Sequence, residues 1–200
     1  MNERGHASDP VLRCGRCGRF IDWDESRLQI VCTCRPHLDL LPVLVRDAAA
    51  ADADKIRRLF KGQFGHTPLV AFGAVVPIDP ASTLVAEAEN EVGGALAWRR
   101  MDEVLHVIAV AIEPMWQRAG LGGHLVAEAE LLARRLNLTR VVATISNDNI
   151  PALYFYQRRG YRITEVVPGA IAAHTGPVPP AGFAGIPVAD EVHLSKPVGA

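Results

Sequence analysis

Two groups of residues in this 200-residue chain have the types and the spacing to do chemistry. The first is a set of four cysteines, Cys14, Cys17, Cys32 and Cys34, in the run RCGRCGRFIDWDESRLQIVCTC. A Cys-x-x-Cys turn, fourteen intervening residues and a second close pair present four thiolates from two tight turns, the donor set of a closed, tetrahedral zinc site of structural type. The second pair is Cys-x-Cys, which leaves His37 as an alternative fourth ligand in place of Cys34. Unmetallated thiols or disulfides are the competing reading. Disulfides suit an oxidising compartment, and so short a segment buries too little core to fold without a staple.

The second group is WQRAGLGGHL, residues 116–125, with Gly120, Gly122 and Gly123 at the mouth of an apolar run paced for a helix. The first amides of a helix have no intrahelical acceptor and sit at the positive end of its dipole. Side chains removed at that point leave a cradle for a phosphate. Two familiar phosphate motifs fail on the residues: a dinucleotide fingerprint needs glycine where Leu125 stands, and a nucleotide P-loop needs lysine where His124 follows Gly123. The bland alternative is that the glycines only permit close packing of helix on sheet.

Such residues need a frame, and the chain changes character at Pro42 to supply one. PVLVR reads as a strand, and residues 47–62 read as a helix with Ile56, Leu59 and Phe60 on one face. TLVAEA and GGALAWRRM are strands flanking the turn ENEVGG. EVLHVIAVAIEP is a largely apolar strand of the kind buried on both faces in mid-sheet, ended by Pro114. Leu121, Leu125, Ala129, Leu132 and Leu136 then form a helical stripe, with Glu128, Arg134 and Arg135 off it. RVVATI is a further strand, and SNDNIPALYFYQRRGY a helix with Pro151 in its first turn and Gly160 at its end. YRITEVV and DEVHLSK close the fold.

Gln117, Gly120 and Gly122 satisfy the pattern Gln/Arg-x-x-Gly-x-Gly/Ala. NIPALYFYQRRGY supplies Asn149, Ala152, Phe155, Tyr156, Gly160 and Tyr161 as Asn, Ala, aromatic, Tyr, Gly and aromatic at a second pattern's spacing. On these two motifs, in this order and on this frame, residues 42–196 resemble the GNAT family of acetyl-CoA-dependent N-acetyltransferases. The resemblance implies an α/β fold with a mixed, centrally splayed sheet flanked by helices, preceded here by a small zinc ribbon. The expected organisation is a flexible N-terminus over 1–11, a zinc-ribbon-like module over 12–40 and the acetyltransferase domain over 41–200. The resemblance further implies acetyl-CoA as cosubstrate. The backbone of Val110, Ala111 and Ile112 would pair with its pantetheine arm. The amides of Arg118, Ala119, Gly120, Leu121, Gly122 and Gly123 would hold the pyrophosphate, with Gln117, Asn149 and Ala152 completing the coenzyme site.

Direct attack of a primary amine on the thioester requires loss of the ammonium proton, a donor to the oxyanion and a donor to the departing thiolate. Tyr156 matches the tyrosine that the family aims at the coenzyme sulfur, although an aromatic there also serves as core. The Val110 amide is the candidate oxyanion donor. His106 has the same strand parity as Val110 and Ile112 and stands where histone-type members carry a catalytic glutamate, so it is the candidate base. Glu87, Glu89, Glu113 and a water chain are its rivals, and His124 reads as a residue beside the phosphates. Residues 61–82 and 168–188 are the variable loops expected to build the acceptor site. The Pro- and Gly-rich stretch 168–187 is too long for a neutral connection, and reads as a lid or as a floppy insertion.

Composition bounds the rest. With 49% hydrophobic and 22% charged residues and a net charge of -1, the chain reads as an ordinary soluble protein, not a dedicated nucleic-acid binder. No run is long and apolar enough to span a membrane, and MNERGHASDP lacks a secretory h-region, so the cytoplasm is the expected location and no membrane partner is expected. Arg13, Arg16, Arg19, Arg27 and Arg35 make the cysteine-rich segment locally basic, which suits a protein or RNA partner as well as a solvated surface. A monomer or a homodimer is expected. The functional alternative is a zinc-ribbon regulatory protein whose second domain senses acetyl-CoA without turnover.

Overall fold

The computed structural model describes residues 22–24, 29–31, 43–65, 69–176 and 178–199. The chain divides into two units, Met1–Leu41 and Pro42–Ala200. In the first, β1 (Asp22–Asp24) pairs antiparallel with β2 (Gln29–Val31), with Trp23 opposite Ile30. Cys14, Cys17, Cys32, Cys34 and His37 lie outside the described residues. Among the described residues no cluster of His, Cys, Asp or Glu is arranged to hold a metal ion, and no helix is long and apolar enough to cross a membrane.

The second unit runs β3 (Val43–Asp47), α1 (Ala53–Phe64), β4 (Leu69–Ala71), β5 (Ala74–Val76), β6 (Thr83–Ala88), β7 (Glu91–Met101), β8 (Val104–Ile112), α2 (Leu121–Arg135), β9 (Arg140–Ser146), α3 (Ile150–Gln157), β10 (Arg162–Val167), α4 (Ala172–Thr175) and β11 (Glu191–Pro197). Seven strands form one sheet in the order β10-β11-β9-β8-β7-β6-β3, antiparallel throughout except at β8–β9. A parallel pair cannot be joined by a tight turn, and α2 provides the crossover. The architecture is the mixed α/β fold that the sequence motifs imply.

Ile56, Leu59 and Phe60 of α1 are buried against Ala95, Ala97, Ala109 and Ala111 on one face of the sheet, each large side chain contributing roughly 1.5–3 kcal/mol. On the opposite face Leu125 of α2 lies over Gly94. Leu121, Leu125, Val126, Ala129 and Ala133 are the buried apolar residues of that helix. Leu132 and Leu136 are only half-buried, because the contact stripe turns toward Val126 and Ala133.

The structure corrects two further expectations. The turn before β7 is the two-residue Glu89–Asn90 pair, both at positive φ, and Gly93 and Gly94 belong to the strand instead. Space explains their type: a Cβ at Gly93 would stand 2.6 Å from Trp116 Cδ1, and one at Gly94 2.5 Å from Ile112 Cδ1. The segment expected as loop over 61–82 contains the β4–β5 hairpin, Leu69 opposite Val76. The described residues of 168–187 are tied to the rest of the unit by hydrogen bonds. The Ile171 and Ala172 amides donate to the Ala189 carbonyl at 2.9 and 3.0 Å, Asn147 Nδ2 donates to the Pro187 carbonyl at 2.9 Å, and the Phe183 amide donates to Asp148 at 2.9 Å.

Candidate active site

β8 and β9 pair only from Val104–Arg140 to Val107–Ala143, although β8 continues to Ile112 and β9 to Ser146. Beyond that point the strands part, and the edge of residues 108–112 that faces away from β7 has no strand partner among the described residues. The parting coincides with a bulge. Trp98 faces Val107 and Ala97 faces Ala109, so Ile108 is an extra residue with no cross-strand partner. One extra residue reverses side-chain parity. His106 therefore shares a face with Ala109 and Ala111, not with Val110 and Ile112 as its spacing suggests.

Past the end of β8 the chain makes a tight turn over Pro114–Trp116 and enters α2 through two residues at positive φ, Arg118 at 65° and Gly120 at 86°. Gln117 Nε2 donates to the Ile112 carbonyl at 3.3 Å, tying this turn to the end of the strand. The first intrahelical bond of α2 runs from the His124 amide to the Gly120 carbonyl at 3.1 Å. The amides of Leu121, Gly122 and Gly123 thus precede the ladder, and Gly120 offers them no side-chain cap. Packing does not demand glycine at 122, since a Cβ there would meet Phe155 at 3.5 Å and Ile112 at 3.9 Å, ordinary contact distances. Missing side chains beside uncapped amides make a cradle that suits a phosphate group.

α3 lies beside this cradle. Asn149 caps it by accepting from the Ala152 amide at 3.1 Å, and Pro151 occupies its first turn. Tyr156 is buried, packed edge-on against Phe155 and Tyr161 with ring centroids 5.1 Å away in both cases. Burial pushes its phenol pKa up, which keeps it protonated and able to donate. Sequence reasoning missed Arg159. Its guanidinium stacks on the Phe155 ring at 3.8 Å and reaches within 2.6 Å of where a Gly123 Cβ would be, a cation at the glycine turn whose charge burial disfavours. The signal was the second arginine of QRRGY, one residue before Gly160.

On the face that carries His106, a cavity of about 480 Å³ is lined by Phe72, Val104, His106, Arg140, Val142, Thr164, Glu165, His193 and Ser195. The tip of the β4–β5 hairpin reaches its edge, and the Phe72 ring packs on His106 at 4.4 Å and on His193 at 5.0 Å. Phe72 takes positive φ, 53°, a conformation that costs a non-glycine residue energy and that these ring contacts help to hold. The Gly73 amide donates to the buried Glu191 carboxylate at 3.1 Å.

The two histidines are shifted in opposite directions. His193 lies between Glu191, 3.0 Å from Nε2, and Glu165, 3.1 Å from Nδ1, and these carboxylates raise its pKa and favour the imidazolium. His106 is pushed the other way, first by burial and then by the positive charges of His193 and Arg140. Its Nδ1 is buried without a hydrogen-bond partner, as is Thr144 Oγ1 on β9 where the strands part. The carboxylate rivals are engaged elsewhere: Glu113 with Lys55 at 2.6 Å and Glu87 with Arg46 Nε at 2.9 Å, while Glu89 lies in the exposed β6–β7 turn.

A family model described as "Acetyltransferase (GNAT) family" matches residues 53–161, more than half of the chain. The chain belongs to this family. It is 26% identical over 147 residues to the uncharacterized protein YxbD of Bacillus subtilis, covering 72% of this chain and 91% of that protein. Its fold is similar to that of a GNAT family acetyltransferase from Elizabethkingia anophelis with acetyl-CoA bound, with a TM-score of 0.64 and 21% identity over 78% of this chain and 97% of the other. An IAA acetyltransferase from Bacillus cereus is similar to the same degree, with a TM-score of 0.64 and 18% identity over 78% of this chain and 99% of the other.

Proposed function

We propose that the protein is a cytoplasmic N-acetyltransferase that moves the acetyl group of acetyl-CoA to a primary amine by direct attack. The observation that carries this reading is the parting of β8 from β9 beside the uncapped amides of the α2 turn. When bound, acetyl-CoA supplies an activated thioester carbonyl. The unpaired edge of Val110, Ala111 and Ile112 would hold its extended arm. The amides of Arg118 and of Gly120 to Gly123, with Gln117, would take its phosphates, whereas the Ala119 amide donates to the Trp116 carbonyl at 3.2 Å. Asn149 and Ala152 hold the first turn of α3 and so orient Tyr156 toward the sulfur. The amide of Val110 is the candidate donor to the developing oxyanion. A screen for coenzyme A release across amines, peptides and aminoglycosides tests the activity. Tight acetyl-CoA binding with no release from any amine would favour the sensing alternative.

In this reading His106 accepts the ammonium proton. A base works in its neutral form, and burial holds the His106 pKa below the ordinary imidazole value, so kcat/KM stays level at neutral pH and falls only as acid protonates the ring. His106→Ala is expected to remove this acidic limb and to lower kcat/KM by roughly a hundredfold or more near neutrality. A variant that loses stability yet keeps the wild-type limb would make His106 structural and leave deprotonation to a water chain.

Four thiolates at Cys14, Cys17, Cys32 and Cys34 fit one structural zinc ion per chain, with His37 as the alternative to Cys34. Elemental analysis of the purified protein is expected to give about one equivalent of zinc. Cys14→Ser should lose it. Zinc fully retained by Cys34→Ser moves the fourth ligand to His37, and a folded wild type without metal removes the site. The arginines around these cysteines suit a protein or RNA partner.

A further inference from the structure

Resting on the acetyltransferase reading, we infer that the acceptor is a small amine that also carries an acidic group, and that Arg140 anchors the acid. Arg140 lines the cavity on the His106 face, and its guanidinium makes no hydrogen bond or ion pair with any described residue. The other charged groups of that cavity are engaged: His193 with Glu165 and Glu191, and Glu191 with the Gly73 amide. Both carboxylates beside the cavity are taken by His193, and Arg140, which is exposed, has no carboxylate within ion-pair distance among the described residues. An acid on the acceptor would give that guanidinium the partner it lacks. Arginine also suits the task by shape, since its planar fork meets a carboxylate or a phosphate with two parallel hydrogen bonds.

The strand register gives the cavity a direction. Arg140 pairs with Val104 at the closed end of β8–β9, whereas Val142, opposite His106, is the last cavity-facing residue before the strands part. Two residues of strand separate them, roughly 7 Å. The acid would sit at the closed end and the amine beside His106, with several bonds between them. The volume of about 480 Å³ falls within the roughly 300–1,000 Å³ of small-molecule sites. Selectivity would follow, because a site built to bind a polar group rejects an analogue that lacks it.

The test is a panel of amino acids of graded chain length and 2-aminoethyl phosphate. Each is assayed beside the amine left when the acid is removed, with saturating acetyl-CoA and thiol release as the readout. The best acid is expected to exceed its neutral counterpart in kcat/KM by roughly ten- to a hundredfold, the worth of a hydrogen-bonded charge. The phosphate and carboxylate arms identify which acid is preferred. Arg140→Ala should abolish the preference by raising KM for the acids, with kcat within about twofold of wild type, and Arg140→Lys should restore part of it. The same compounds are titrated calorimetrically into the coenzyme A-loaded protein, where Arg140→Ala should weaken the acids alone. Neutral amines used as well as the acids, an unchanged KM in Arg140→Ala, or no binding and no turnover of any acid would overturn the anchor. Acids that bind through Arg140 but never release thiol would uphold the anchor and overturn acetyl transfer.

Discussion

Tyr156→Phe is expected to bind acetyl-CoA as the wild type does and to turn over roughly a hundred- to a thousandfold more slowly, the loss that follows removal of one donor to developing negative charge. Binding survives because the ring, which packs edge-on against Phe155 and Tyr161, keeps its shape in the variant. Turnover falls because the hydroxyl has a specific task. Burial raises its pKa above that of an ordinary phenol and further above that of a thiol. Complete proton transfer to the departing thiolate would therefore be uphill, and in the proposed reaction the hydroxyl would stabilise it as a hydrogen-bond donor. Calorimetry and thiol release measured on one preparation separate the two effects. Wild-type turnover in Tyr156→Phe would leave the thiolate to solvent.

Gly122→Val is expected to weaken acetyl-CoA binding by at least about a hundredfold, about 2.7 kcal/mol, in a protein that remains folded. Hydrogen bonds from backbone amides to an anion contribute roughly 1.5–3 kcal/mol each, so denying a phosphate two of them accounts for the loss. The fold persists because the Cβ itself would sit at ordinary distances from Phe155 and Ile112. Gly122→Ala, which adds only that atom, is the control for folding, and circular dichroism with calorimetric titration reads both variants. Unchanged affinity in folded Gly122→Val would move the phosphates away from the α2 turn.

Much of the frame was legible because it rests on local rules. A first helical turn tolerates proline, and Pro151 stands in that of α3. A helix face needs period, and Ile56, Leu59 and Phe60 have it. A helix mouth stripped of side chains needs glycine, and Gly120, Gly122 and Gly123 supply it. Each rule acts within a few residues, so the order of residues alone carries it.

Parity failed at His106 for a reason of the same kind. VLHVIAVAI is apolar on both faces, so no alternation marks where Ile108 bulges and every later side chain changes sides. The cavity on the His106 face was invisible for a different reason. Phe72 comes from a hairpin, Arg140 from β9, Glu165 from β10 and His193 from β11, and the bond that joins the hairpin tip to Glu191 spans 118 residues. None of these residues has a neighbour in sequence that announces a partner. Sequence by itself determined the family frame and the glycine turn, because backbone conformation and helix periodicity are set by adjacent residues. The opposite pKa shifts of His106 and His193, and the absence of an ion-pair partner for Arg140 among the described residues, were decided only when the sheet brought distant strands together, since burial and counterions are properties of the folded surroundings.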